Sequence, residues 1–324
     1  MAPRLSVGLP VYNGERYLAE TLDSLIEQTF EDFELIISDN ASTDGTAGIC
    51  RRYEKLDSRI RYFRQPRNIG GAPNHNFVAR QARGELFKWV SADDLYARDL
   101  LERCVDALND LPHVVLAHPW TATIDGSGAA RAVEYSLATA SPSAPERFRS
   151  LLFANAGDDT EGVIRLSVLR QTPLLASYHH SDRTLSAELG LYGPFYQVPY
   201  WLYFRRDHPE RAERAFKTVR DWCANLDPRR ADALRNPAIR LYAEYVGGFA
   251  AAIRRAPLSS AEKRKCYFYL MQWLASRSLP GHDRRVIEQP YADKEAISID
   301  ALVAGRALTL RNSAVPDEPT DASP

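Results

Sequence analysis

Two carboxylates stand side by side in Ser91-Ala-Asp-Asp94, just after the strand-like segment from Glu85 to Val90. Oxygen donors of that kind suit a hard divalent cation, Mg2+ or Mn2+, which commonly bridges one or two carboxylates to substrate phosphates. The same pair also reads as a solvated turn ahead of a helix near Asp99, because Asp is common at helix starts. A third carboxylate, Asp39, closes the apolar run Phe33 to Ser38. It could accept hydrogen bonds from a base or a ribose, or it could cap the turn beside Thr43. Two further segments of turn-forming residues end apolar runs: Pro10-Val-Tyr-Asn13 and Asn68-Ile-Gly-Gly71.

The elements that must hold these residues alternate along the first third of the chain. Leu5 to Val11, Phe33 to Ser38, Ile60 to Phe63, Glu85 to Val90 and Val114 to Ala117 read as buried strands. Between them, Tyr17, Leu18, Leu22, Leu25 and Ile26 recur at helical spacing, as do Leu100, Leu101, Cys104, Val105 and Leu108. Shorter helices are expected through Ile49 and Tyr53 and around Phe77 to Ala82. Repeated strand–helix units predict an α/β fold with a mostly parallel sheet covered on both faces. In such a sheet ligands bind beyond the carboxyl ends of the strands, which is where all of these polar segments fall.

Farther along, Ala138 to Pro145 is rich in Ser, Ala and Pro and is expected as a mobile loop. Phe195 to Phe204 predicts one or two strands bent at Pro199, and the chain from about Pro209 is expected to be helical. Within it, Leu241, Tyr245, Phe249 and Ile253 fall at four-residue steps and read as a core face. Residues 312–324 are Pro, Asp and Ser without apolar anchors, the composition of a disordered tail.

Composition narrows the function classes. Lys+Arg 41 against Asp+Glu 42 leaves a net charge of -1, without the broad positive field that a nucleic-acid binder needs. Cys50, Cys104, Cys223 and Cys266 are scattered with no CxxC pair, so buried reduced thiols are expected rather than a zinc site or a disulfide framework. Met1 to Ser6 runs into the first strand without a basic then apolar leader, and no apolar run approaches the ~20 residues of a membrane span. A cytoplasmic protein is expected, with peripheral contact at the inner face of a membrane left open.

Four motifs in order carry a resemblance. Ser6-Val-Gly-Leu-Pro-Val-Tyr-Asn-Gly-Glu-Arg-Tyr-Leu18, Glu34-Leu-Ile-Ile-Ser-Asp-Asn-Ala-Ser-Thr-Asp-Gly-Thr46, Asn68-Ile-Gly-Gly with Asn74 and Asn76, and Ser91-Ala-Asp-Asp94 together resemble the family 2 glycosyltransferases. The likeness covers roughly residues 4–125 and, more loosely, 160–210. It implies a Rossmann-like GT-A fold and inverting transfer of a sugar from a nucleotide diphosphate donor to an acceptor hydroxyl, aided by Mn2+ or Mg2+. By that resemblance Pro10, Val11, Tyr12, Glu15, Asp39, Asn68, Gly70, Ser91, Ala92, Asp93 and Arg205 bind the donor.

The resemblance makes Asp93 the metal ligand and Asp94 a supporting or acceptor-facing group. The metal motif of the family usually opens with Asp, and Ser91 stands there, so His208 is the candidate for a second protein ligand. Arg205 and Arg206 could pair with phosphate oxygens. Asp158-Asp-Thr-Glu-Gly162 resembles an acceptor-side loop, and Ser181-Asp-Arg-Thr-Leu185 resembles the helix start that carries the general base. Asp182 is the matching base, although Ser181 replaces the usual preceding acid. Glu161 and Asp159 are its rivals, Gly162 adjoins the same pocket, and Asp182 could also simply cap the helix. His179 and His180 either line an acceptor pocket or lie at the surface, and the aromatics from Tyr192 to Tyr203 are left unassigned.

The expected organisation is a catalytic domain over 1–208, with a donor half to about 125 and an acceptor half beyond it. A helical region over 209–311 and the tail follow. A non-catalytic nucleotide-sugar-binding or scaffold protein of the same fold is the rival, motivated by Ser91 and Ser181. A sugar-phosphate nucleotidyltransferase ranks lower, because Pro10-Val-Tyr-Asn-Gly14 is not a Gly- and Arg-rich loop, and no GxGxxG follows the first strand for a dinucleotide enzyme. Expected partners are the nucleotide diphosphate sugar and a glycan, lipid-linked or small-molecule acceptor, with no nucleic acid; a homodimer is left open.

Overall fold

The computed structural model describes residues 2–125, 129–132, 138–153, 161–278 and 297–298. Asp159, most of the Asp158–Gly162 loop and the tail at 312–324 lie outside the described residues. Strands β1 (Leu5–Val11) and β2 (Phe33–Asp39) are buried along their whole length. That is what mostly apolar strands require where helices cover both faces of a sheet. β3 (Ile60–Arg64) pairs parallel with β2, and β4 (Leu86–Trp89) pairs parallel with β1, giving the order β3-β2-β1-β4.

Each side chain's face follows from the two-residue period of a strand. Leu5, Val7, Leu9 and Val11 of β1 pack with Leu18, Leu22 and Leu25 of α1 (Leu18–Ile26) and with α4 (Leu100–Asp110). Across the sheet, Ile36, Phe87 and Trp89 pack with Val78 of α3 (Gly71–Gln81). A Cβ on Gly8 would stand 2.6 Å from the Val78 side chain, so the glycine lets α3 lie directly on β1. The remaining crossover is α2 (Thr46–Leu56), which packs against β3.

Beyond β4 the parallel pattern gives way to mixed pairing. β8 (Val163–Arg165) runs antiparallel between β4 and β6 (Leu116–Ile124). β9 (Phe195–Arg206) then lies parallel to β6, while β5 (Leu95–Tyr96) pairs antiparallel with β9 and β7 (Ala129–Ala132) with β6. The strand expected to end at Ala117 therefore continues to Ile124. β9 is one strand whose register with β6 slips around Pro119, passing from Val198 to Trp201 and skipping Pro199. A proline offers no N–H to the ladder, and this irregularity accommodates it.

The expected loop over Ala138 to Pro145 is a correction. A 3-10 turn spans Ala138–Ala140, and Pro145 already lies in the first turn of α5 (Ala144–Phe153), where its missing N–H costs nothing. Buried Arg147 fixes the segment by donating to the carbonyls of Ser141, Pro142 and Gly190.

α6 (Leu166–Leu169), α7 (Ser181–Tyr192), α8 (Ala212–Ala215) and α9 (Val219–Leu226) lead to α10 (Ala238–Arg255) and α11 (Ser260–Ser278). Leu241, Tyr245, Phe249 and Ile253 of α10 are buried as expected, and the last three share a core with Leu185 and Leu189 of α7. Arg255 grips buried Glu188 of α7 through two bonds of 2.7 and 2.8 Å. The stretch expected as wholly helical also returns a strand, β10 (Ile297–Ser298), antiparallel to β7 at the sheet's edge. All four cysteines are buried free thiols.

Candidate active site

The loops at the carboxyl ends of β1 and β2 are sewn together. Asn13 Oδ1 accepts from Thr43 N at 2.8 Å, Asn13 N donates to Ser42 Oγ at 2.9 Å, and Gly14 N donates to Thr46 Oγ1 at 2.8 Å. Glu15 accepts from Gly45 N at 2.8 Å, at the start of α2, so its carboxylate caps that helix. Asn13 and Ala41 both hold positive φ, 52° and 61°, a backbone state that clusters at functional sites. Tyr12, the residue after β1, stands 49% exposed beyond the strand's carboxyl end.

Asp39 is wholly buried. It accepts from Ser42 N at 2.7 Å and from Tyr62 OH at 2.8 Å, with Arg64 3.7 Å away. Its carboxylate thus caps the turn at Ser42 and shapes the floor of the loop. Asn68 accepts from Asn40 at 3.0 Å and from Gly70 N at 2.9 Å. Asn74 bonds both ways with Ser38, and Asn76 both ways with the backbone of Leu175. These asparagines therefore lock the third loop to its neighbours. Gly70 has φ 93°, and a Cβ there would stand 2.4 Å from Leu226 O of α9.

Asp93 and Asp94 have opposite surroundings. Asp94 is fully buried and accepts from Tyr203 OH at 2.5 Å, Arg206 N at 2.8 Å and Arg211 Nη1 at 2.8 Å. Burial opposes its charge, but the Arg211 guanidinium and these bonds hold it below the ordinary carboxylate value. Its carboxylate is a structural pin, which corrects the acceptor-facing placement while keeping the supporting one. Asp93 keeps 28% of its side chain exposed and meets His208 Nε2 at 2.9 Å. Burial and the neighbouring Asp94 push its carboxyl up, against Arg211 and His208.

His208 is held from its other side by Glu210 at 3.1 Å, and its ring lies 4.9 Å from that of Tyr17. Arg206 donates to Asp93 O at 2.9 Å and to Glu20 at 2.7 Å, so it positions this corner. Arg205 is half-buried near the end of β9. Ser91 donates its N–H to Tyr96 OH at 2.8 Å, and Ala92 comes within 3.7 Å of where a Gly14 Cβ would be, joining the fourth loop to the first. Pro10 and Val11, buried at the end of β1, complete that junction.

Asp182 lies in the first turn of α7, half-buried. Its charge bears on His75 of α3, an imidazole kept below its ordinary value first by burial and bonded through Nδ1 to Gly71 O at 2.8 Å. Glu161 sits elsewhere: its carbonyl accepts from buried Lys88, whose ammonium lies 5.4 Å from the Tyr96 ring and 5.8 Å from the Tyr203 ring. Burial pulls that lysine's pKa down while Glu161 raises it. Gly162 makes a close backbone approach, since a Cβ would stand 2.6 Å from Ala117 O. His179 is buried and driven down to about 4 by burial and then by His180.

Sequence reasoning missed Arg211, Lys88 and His75. Arg211 follows Asp-His-Pro-Glu, and a second cation spaced from the candidate ligand was the available signal. Lys88 inside an otherwise apolar strand was another. No helix among the described residues is long and apolar enough to cross a membrane.

The family model described as glycosyl transferase family 2 matches residues 6–160. The chain is 37% identical over 101 residues to TuaG of Bacillus subtilis, a proposed teichuronic acid biosynthesis glycosyltransferase, covering 31% of this chain and 40% of that protein. It is 32% identical over 102 residues to the glycosyltransferase GlyG of Streptococcus pneumoniae, covering 32% of this chain and 34% of that one. The matches span less than half the length of either relative. Among solved structures, S. aureus TarS 1-349 superposes with a TM-score of 0.64 at 19% identity, covering 89% of this chain and 77% of that chain. The same protein in complex with UDP-GlcNAc gives 0.63 at 19%, covering 84% and 73%. At that identity the likeness establishes the fold.

Proposed function

We propose, on the premise that residues 6–160 of this chain belong to glycosyl transferase family 2, that the protein transfers a sugar from a nucleoside diphosphate sugar to an acceptor hydroxyl with inversion. The observation that carries this reading is the meeting of Asp93 Oδ2 and His208 Nε2 at 2.9 Å, 115 residues apart, where the strands end. Asp93 is partly open, and Asp94, Arg206 and Arg211 hold the corner from behind. One carboxylate oxygen and one imidazole nitrogen suit a divalent cation that takes its other ligands from phosphate and water. No cluster of three or more ligating side chains lies among the described residues, so the donor diphosphate is expected to complete the set. When bound, the cation neutralises charge on the departing diphosphate.

The remaining steps belong to the chain's own residues. Tyr12 offers its exposed ring to the base, and the backbone of Pro10 to Tyr12 flanks the nucleoside. Arg205 pairs with a phosphate oxygen. Asp182 takes the acceptor proton as the hydroxyl oxygen attacks the anomeric carbon and the sugar–phosphate bond breaks. TuaG is named for teichuronic acid biosynthesis and TarS is seen with UDP-GlcNAc, which supports a UDP-sugar donor and a polysaccharide acceptor here.

Release of nucleoside diphosphate from UDP-, GDP- and dTDP-sugars, with Mn2+ or with a chelator, tests the reading. Turnover that needs the cation is expected. Asp182→Asn should lower kcat by at least about a hundredfold while sparing donor binding. Nucleotide binding without turnover on any donor would reject the transferase and favour the non-catalytic alternative.

A further inference from the structure

We infer that the chain carries an aromatic subsite for the acceptor, built from Phe216, Trp222 and His180, that selects a glycan bearing a negative charge. The inference rests on the proposed glycosyl transfer and deepens it. Pro209, the residue after His208, lines an open hollow of about 610 Å³ with Arg214, Phe216 and Lys217. The Phe216 ring lies 5.9 Å from that of Trp222, and the Trp222 ring lies 6.0 Å from that of His180. His180 precedes Asp182 by two residues. The row therefore runs from the hollow next to His208 in the chain to the residue two before the proposed base.

The His180 ring also lies 6.1 Å from that of core Tyr245, so the row is backed by the core at that end. Phe216 and Trp222 belong to neither hydrophobic core and stay half-buried, and His180 is exposed. His180 also holds φ 56° at the start of α7, a left-handed state that a non-glycine residue keeps only when its surroundings impose it. α9 begins with a reciprocal cap between Thr218 and Asp221, and it is anchored by buried Cys223. Its last turn abuts Gly70 of the donor loop, which sets the distance from platform to donor.

Flat aromatic faces suit the C–H faces of sugar rings. The charge at the row's outer end supplies the second element of recognition. Arg214 is ion-paired with Asp207, whereas exposed Lys217 makes no ion pair among the described residues. A carboxylate or phosphate on the acceptor would meet Lys217, with Arg214 beside it.

Titration calorimetry on the intact chain tests this with chitotetraose, a hyaluronan tetrasaccharide and chitotetraose 6-phosphate, with UDP and Mn2+ titrated separately. A charged oligosaccharide should bind at least about tenfold more tightly than chitotetraose, and the two charged arms distinguish carboxylate from phosphate. Trp222→Ala should weaken the bound oligosaccharides about tenfold and leave UDP affinity unchanged; Trp222→Phe should restore most of the loss. Lys217→Ala should remove the preference for charge and leave chitotetraose unaffected. The inference is overturned if no oligosaccharide binds at millimolar concentration while UDP does. It is equally overturned if Trp222→Ala changes nothing, or if Lys217→Ala shifts neutral and charged ligands alike. Failure of UDP to bind the unaltered chain would sink the glycosyl transfer reading and this inference with it.

Discussion

Replacing each of the two adjacent aspartates by asparagine should separate stability from activity. Asp94 accepts three bonds in a fully buried position, one of them from Arg211, whose side chain is 14% exposed. An amide can keep one or two of those bonds, but it leaves the buried guanidinium without its nearest countercharge. Breaking such a pair from one side costs about 3–5 kcal/mol. Asp93 at 3.7 Å from Arg211 still offsets part of that charge, so the lower end, about 3 kcal/mol, is expected for Asp94→Asn. At roughly 2–4 °C per kcal/mol for a chain of this size, Tm should fall by about 6–12 °C. Asp93 is more open and its charge is disfavoured by burial, so Asp93→Asn should cost less than about 1 kcal/mol and still suppress transfer. Urea and thermal unfolding at neutral pH without nucleotide measure both variants. The Asp94 advantage is complete above the ordinary carboxylate value of 3.8 and disappears as pH falls through the lower folded value. Equal losses of stability in the two variants would refute the division of labour.

Other consequences are open to direct measurement. Gly70→Ala forces a side chain into φ 93° and against Leu226 O, and urea denaturation should show a loss of about 2 kcal/mol or more. His179, held near 4 in the fold against 6.5 unfolded, refuses a proton that the unfolded chain accepts. Stability should therefore drop by up to about 3 kcal/mol as pH falls from 6.5 toward 4, and His179→Phe should flatten that slope. Asp93→Ala should abolish the response of transfer to added Mn2+, read by titrating the cation against nucleoside diphosphate release.

The loops at strand ends are legible in the sequence because each apolar run stops at polar or glycine residues that need no distant partner to be noticed. The meeting of Asp93 with His208 is different. It depends on β9 running parallel to β6 and on β5 pairing with β9, and no periodicity within either segment announces that return. Asp93 and Asp94 look alike as letters, and only Arg211, Arg206 and Tyr203 tell them apart. Asp39 shows the converse: its position at the end of β2 is plain, but Ser42 and Tyr62 turn its carboxylate inward. The start of α5 is hidden by the Ser, Ala and Pro of residues 138–145, a stretch that is fixed by one arginine reaching the carbonyls of Ser141 and Pro142.

The core shared by α7 and α10 bears on how this protein can be divided. A chain stopped after His208 would leave Leu185 and Leu189 bare on one side and strand Glu188 without Arg255. It would also discard Arg211, and with it the grip on Asp94. The segment after His208 is thus masonry for the Asp93–His208 corner, and a shortened gene product should precipitate rather than work slowly.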